Sequence, residues 1–267
     1  MPDKAILEVC LTPGLLPLYP VEEKVVVVID VLRATTTMCV AIDQGAKAVI
    51  PVETIEECLS YKGKEGYILA GERNGRKVEG FDFGNSPFEF MNGVVKGKTL
   101  VLTTTNGTRA IKMSEKAHQV VIGGFLNFSA LTKWIISEGR DTLLLCSGWR
   151  NKFNLEDTIF AGAIIYHTKE HFLVDSDSAF AAEKLYVNSR RNMMHFVKQS
   201  SHYRRLAHLG VVNDVKYCLR PGLTDVVPVM KDGATLLDMD EYVMLRKALV
   251  QKPEMIKKAP VLFDSEA

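Results

Sequence analysis

Cysteine is scarce in this chain: five residues in 267, at positions 10, 39, 58, 146 and 218. Their odd number, wide scatter and lack of a C-x-x-C pair argue against a disulfide framework and suit reduced thiols, so the cytoplasm is the expected compartment. Long apolar runs are missing too. None reaches the ~18 residues of a membrane span, and the first residues show no basic-plus-apolar leader. An excess of one charge is also lacking. The formal net charge is +1, which points away from a nucleic-acid or membrane-surface partner. No low-complexity linker divides the chain.

What remains, 47% apolar and 24% charged, suits a single α/β domain over residues 1–267. A subdivision near residues 140–175 and a loose tail over about 245–267, beginning as a surface helix, are compatible with the pattern. The organising stretch is VVVVIDVLRATTT, residues 25–37. Its valine run is too uniform for a one-sided strand and fits one buried on both faces. The run ends in Asp30, Arg33 and three threonines, and then turns helical over about Thr35–Gln44, stopping at Gly45. In open α/β sheets the carboxyl ends of the strands are where ligands bind, and helix N-termini there favour anions.

Further short strands are expected at Ala5–Leu11, Ala48–Val52, Tyr67–Ala70, Thr99–Leu102, Gln119–Ile122, Thr142–Leu145, Val226–Met230 and Thr235–Leu237. Helices are expected after the Thr54–Glu57 capping box, after Ser86-Pro87, to about Lys116, over about Ser129–Glu138 with Asn127 as cap, and from Asn154 through TIFAGAIIYH. One or two long helices should fill the stretch from Ser176 to about Leu209. The segments VVVVIDVLRATTT and TLVLTTTNGTRAI share an order of strand, threonine-rich turn, Arg-Ala and helix. The fold expected is a three-layer α/β/α arrangement on a mixed, largely parallel sheet, with two related strand–helix–strand halves.

Five polar clusters follow strands or open helices: 30–37, 71–75, 83–87, 103–109 and 146–157, with Asp82 beside them. Singly, each reads as a turn or cap. Together they offer hydroxyls, main-chain N–H groups, arginines and carboxylates, the mixture that a phosphate ester and a divalent cation need. Familiar phosphate signatures are absent. There is no G-x-x-x-x-G-K-[ST] loop. Asp30-Val31-Leu32 lacks the second aspartate of the D-x-D phosphatase signature, and Arg150 follows Cys146 too closely for a thiolate phosphate loop. His167-Thr168-Lys169-Glu170-His171 matches the zinc pattern H-x-x-E-H, but its place at a helix C-terminus favours a surface pair. The basic stretch 190–208, with Arg190-Arg191 and Arg204-Arg205, suits a solvated face or partial support for a polyanionic small molecule.

The clusters DVLRATTT, GERNG, EGFDFGNSP, TTTNGTRA and NLEDTIFAGAI, followed by RLAHLGVVNDVKYC, resemble the 2-phosphosulfolactate phosphatase family over about residues 25–230. The resemblance implies a three-layer α/β fold and a phosphoric monoester hydrolase. It implies Mg²⁺-dependent hydrolysis of 2-phospho-3-sulfolactate to 3-sulfolactate and phosphate, a step that in methanogens belongs to coenzyme M biosynthesis. Its partner is a small anionic phosphoester, with no nucleic acid or membrane, and a homo-oligomer is compatible with it. A phosphatase of another small phosphorylated hydroxy acid, or a non-catalytic phosphometabolite-binding protein, are the competing readings. The catalytic candidates are Asp30, Arg33, Glu72 and Arg109. Metal candidates are Asp30, Glu72, Asp82, Glu156 and Asp157. Substrate-binding candidates are Thr35, Thr36, Arg73, Asn85, Ser86, Thr104, Thr105, Asn106, Gly107, Thr108, Ser147 and Gly148. Asp30 could act as a metal ligand or as a nucleophile. One segment departs from the pattern: Trp149-Arg150-Asn151-Lys152 stands where a smaller, glycine-richer stretch is expected.

Overall fold

The computed structural model describes residues 4–231 and 234–236; the expected tail over about 245–267 lies outside them. In chain order the elements are β1 (Leu7–Cys10), β2 (Val25–Ile29), α1 (Ala34–Asp43), β3 (Ala48–Pro51), α2 (Ile55–Leu59), β4 (Tyr67–Arg73), β5 (Arg76–Lys77), β6 (Thr99–Thr103), α3 (Gly107–Met113), β7 (Gln119–Gly123), α4 (Phe128–Glu138), β8 (Thr142–Cys146), α5 (Leu155–Thr168), α6 (Asp177–Ser189), α7 (Met193–Val197), α8 (Ser201–His208), α9 (Val212–Cys218), β9 (Val229–Lys231) and β10 (Ala234–Leu236).

The described strands form one mixed sheet in the order β1-β8-β2-β7-β9-β10-β3-β6-β4-β5. Two parallel blocks, β1-β8-β2-β7 and β3-β6-β4, are joined by the antiparallel pair β9 and β10. Because each step from β7 to β9, β10 and β3 is antiparallel, the blocks run in opposite senses.

The uniform valines of β2 serve both faces of the sheet, since successive strand side chains point oppositely. Val25, Val27 and Ile29 enter a core with α4, α5 and α6. Val26 and Val28 enter a second core with Met38, Val40 and Ile42 of α1 and Ile111 of α3. Helices therefore cover both faces, and the α/β class with a largely parallel mixed sheet is what the chain adopts.

The two echoed segments become β2-α1-β3 and β6-α3-β7, and they interlock: β2 pairs with β7 and β3 with β6. Their threonines brace the turns. Thr35 Oγ1 accepts from Asp30 N–H at 3.1 Å and donates to Asp30 O at 2.8 Å. Thr108 Oγ1 accepts from Thr104 N–H at 3.1 Å and donates to Thr104 O at 3.1 Å.

Several expectations are corrected. β4 runs to Arg73 rather than ending at Ala70, because residues 72–73 pair with β5 in a hairpin turning at Asn74-Gly75. Glu57 reaches back to Glu53 N–H, not to the N–H of the capping Thr54. Asn127 makes no side-chain cap for α4; its amide donates to Ile122 O and Val226 O and accepts from Gly124 N–H, tying β7 to the chain before β9. The stretch from Ser176 breaks into α6, α7 and α8. His167 is no surface pair with His171: α5 ends at Thr168, and the His167 ring packs edge-on to Phe128 and Tyr166 and bonds Tyr186 Oη at 3.1 Å. Burial, with Arg190 adding to it, lowers its pKa to about 4.

Candidate active site

A pocket of about 330 Å³ opens where polar strand ends from both parallel blocks converge. From one block come Asp30, Leu32 and Arg33 after β2, and Trp149 and Arg150 after β8. From the other come Glu72, Asn74 and Gly75 at the end of β4, and Thr104 and Asn106 after β6. Asn85 and, from the α8 region, His202, Arg205, Leu206 and Leu209 complete the lining.

Asp30 is buried, and its Oδ1 accepts from Ala34 N–H at 3.3 Å. Gly107 lets the start of α3 lie against it, since a Cβ there would sit 2.8 Å from Asp30 Oδ2 and 2.6 Å from Ala34 Cβ. Burial pushes the Asp30 carboxyl up to about 6; His202 and the Ala34 N–H oppose this, while Glu72 and Glu156 add to it. Glu72 is fixed through both oxygens, Oε1 to Thr105 N–H at 2.7 Å and Oε2 to Gly75 N–H at 2.6 Å. Asn85 Oδ1 is buried and has no partner.

Arg33 is also buried, paired with Asp214 of α9 and donating to Gly75 O at 3.3 Å. Glu156, fully buried, pairs through Oε1 with His202 Nδ1 and leaves Oε2 without a partner. Asp157 is used up by the scaffold. Its Oδ1 accepts from Val31 N–H and its Oδ2 from Gly148 N–H and Asn154 Nδ2, so it clamps the turns after β2 and β8 together. Burial and the nearby Asp30 and Glu156 carboxylates raise its pKa well above the usual range.

Trp149–Lys152 forms a tight hairpin with reciprocal main-chain bonds of 2.9 Å, its central Arg150 and Asn151 at φ 51° and 59°, the left-handed pair of a two-residue turn. Its tip crosses to the other block. Arg150 N–H donates to Asn106 Oδ1 at 3.0 Å, and its guanidinium donates to Asn74 Oδ1 at 2.9 Å. Over the Trp149 indole lie Arg205 at 4.3 Å and Arg150 at 5.5 Å from the ring centre, with the His202 ring at 5.7 Å.

Of the sequence candidates, the fold gathers Asp30, Arg33, Glu72, Asn85, Thr104 and Asn106 around this pocket. The others lie elsewhere or are otherwise engaged. Arg109 is exposed on α3. Arg73 is spent on the carbonyls of Glu72 and Glu53 and on Thr103 Oγ1. Asp82 accepts from Leu69 N–H and borders a different surface depression with Lys98. Thr36 Oγ1 is turned to Val31 O, and Ser86 N–H is held by Glu89. Thr105 and Ser147 keep buried hydroxyls without partners outside the lining. The pocket residues with polar or aromatic side chains that were not sequence candidates are Asn74, Trp149, Arg150, His202 and Arg205. The departure at 149–152 and the basic stretch 190–208 were the signals for four of them.

The donor set fits a hard cation such as Mg²⁺. Asp30, Glu72 and the unpartnered Asn85 oxygen border one pocket. Mg²⁺ commonly binds through one or two carboxylates and keeps several waters; among the described residues no three His, Cys, Asp or Glu side chains converge. Asp82 and Asp157 lie outside the lining of that pocket.

A family model described as 2-phosphosulpholactate phosphatase matches residues 10–233. A Thermotoga maritima protein named probable 2-phosphosulfolactate phosphatase is 43% identical over 221 residues, 83% of this chain and 95% of that protein. Proteins of the same name from Caldanaerobacter subterraneus subsp. tengcongensis and Clostridium acetobutylicum are 42% and 41% identical, covering 82% and 81% of this chain and 92% and 93% of their own lengths.

Proposed function

Because this chain belongs to the 2-phosphosulpholactate phosphatase family, a family of phosphoric monoester hydrolases, we propose that it hydrolyses 2-phospho-3-sulfolactate to 3-sulfolactate and phosphate with Mg²⁺ as cofactor. The observation that carries this reading is the meeting of Asp30, Glu72 and the unpartnered Asn85 oxygen with three guanidinium groups in one pocket. A phosphoester that is anionic at both ends needs that combination.

Asp30, Glu72 and Asn85 would hold the metal. Bound there, Mg²⁺ supplies positive charge to the phosphoryl oxygens as the phosphorus is attacked. The protein's own groups do the rest. Arg33, fixed by Asp214 and the Gly75 carbonyl, presents a preorganised fork, so stabilising the equatorial oxygens costs little reorganisation. The Thr104 and Asn106 turn borders the same space and orients the ester. Asp30 stands at the reacting end, as nucleophile or as the group that positions water. His202 is the proton carrier. Glu156 holds Nδ1, and Nε2 has no protein partner among the described residues, so Nε2 can give a proton to the departing sulfolactate oxygen.

The test is phosphate release by the purified full chain from 2-phospho-3-sulfolactate, with Mg²⁺ and again with EDTA, beside phospholactate and phosphoglycerate. Metal-dependent release favouring the sulfonated ester is expected. Release from the controls alone would keep the chemistry and discard the substrate; no release from any would move the pocket to a binding role.

A further inference from the structure

The three guanidinium groups of the pocket are not equivalent. Arg33 is neutralised by Asp214. Arg150 and Arg205 have no carboxylate within ion-pair reach among the described residues. Arg150 is held by a neutral amide oxygen, that of Asn74, and by the Trp149 ring. Arg205 reaches only Ser201 Oγ, at 3.4 Å, and its Nε is buried with no partner.

Two cations packed on one indole, one with a buried idle donor, is an arrangement that costs energy unless an anion joins them. Burial lowers the basicity of Arg205; Glu156 works against that, and Arg150 adds to it. The pocket carboxylates, Asp30 and Glu72, lie with the metal set rather than against these arginines. The pocket thus has two unlike parts, one able to hold a metal-bound phosphoryl group and one cationic. Planar guanidinium forks match the paired oxygens of sulfonates and carboxylates, and aromatic stacking fixes their planes.

We propose that Arg150 and Arg205, both packed on Trp149, form a second-anion subsite that selects phosphoesters bearing a sulfonate away from the phosphorus. The inference rests on the phosphatase reading above and names the residues that set its substrate choice.

The test compares full-length wild type with Arg150→Gln, Arg205→Gln and Arg205→Lys, using 2-phospho-3-sulfolactate and 2-phospholactate, which lacks the sulfonate. Each glutamine variant should lower the ratio of kcat/KM for the two esters by about 10- to 100-fold, the scale of one charge-assisted hydrogen bond. The loss should fall on KM, and Arg205→Lys should recover part of it. A ratio within about threefold of wild type in both glutamine variants would overturn the subsite, since a merely structural defect lowers both esters alike. A second measurement does not need turnover: calorimetric titration with 3-sulfolactate and with lactate in Mg²⁺. Wild type should prefer 3-sulfolactate and the glutamine variants should lose that preference; wild type without the preference would overturn the proposal. If wild type releases no phosphate but shows the preference, the phosphatase reading fails and the subsite stands.

Discussion

Asp30 carries a conflict between stability and chemistry. Its carboxyl titrates near 3.8 when free and is pushed up to about 6 in the fold, chiefly by burial. The folded state therefore binds more protons than the unfolded chain between those values. Stability falls as pH rises through that window, and above it the ionised carboxylate costs on the order of 2–3 kcal/mol. In metal-free protein, Asp30→Asn should raise the thermal unfolding midpoint at pH 8, leave it near wild type below pH 4, and abolish phosphate release at any pH. Melting curves across pH, in EDTA, check the first two; an unchanged midpoint at pH 8 would mean that Asp30 is not buried as a charge. His167 works in the opposite sense. Its pKa is lowered to about 4, so the fold disfavours its protonation and loses stability as pH falls below 6.5, which sets an acid limit independent of the pocket.

Among the elements, α5 matters most for the site, because Glu156 and Asp157 in its first turn hold His202 and the turns after β2 and β8. It lies hard against α6 at Gly162, where a Cβ would be 1.9 Å from Ala182 O. Gly162→Ala should force the helices apart at a cost of about 1–3 kcal/mol. That corresponds to a fall of roughly 3–10 °C in the unfolding midpoint, and kcat should drop in the protein that remains folded. Differential scanning calorimetry beside initial rates would show it; a midpoint within 1 °C of wild type would refute the close packing. Element identity was readable from the chain where local signals act alone: the uniformly apolar β2, the helix opening after Asn154 and the stop at Gly45. It failed where tertiary bonds outbid local preference. GERNG reads as a turn, yet Glu72 and Arg73 are held in the ladder with β5, and Asn127 reads as a cap while its amide stitches β7 to the chain before β9. The site shows the same division. Asp30, Arg33, Thr104 and Asn106 stand in motifs whose chemistry is visible in one dimension. Which face Arg109 or Arg73 takes is decided by packing, and His202 and Arg205 reach the pocket only because α8 is folded back over it.

For the whole molecule, a metal held by Asp30 and Glu72 should couple cation binding to global stability, because a ligand that binds only the folded state stabilises it by mass action. With saturating Mg²⁺ the midpoint should rise several degrees at pH 8. The rise should vanish near pH 4, where Asp30 holds its proton and competes with the cation. Melts with and without EDTA at both pH values decide this; an equal shift at pH 4 would place the cation elsewhere. Among the described residues no helix is long and apolar enough to cross a membrane.

The order of the sheet also bears on how the protein is made. β7 and β3 are the inner borders of the two parallel blocks, and only β9 and β10 lie between them. Every other described strand has been synthesised by residue 146, while those two begin at residue 229. The centre of the sheet is therefore the last part of it to leave the ribosome. Until then the nascent chain presents two unpaired strand borders, the kind of surface on which chains stick to one another. Its most vulnerable moment comes late in translation, when the site's residues already exist but the seam between the blocks does not.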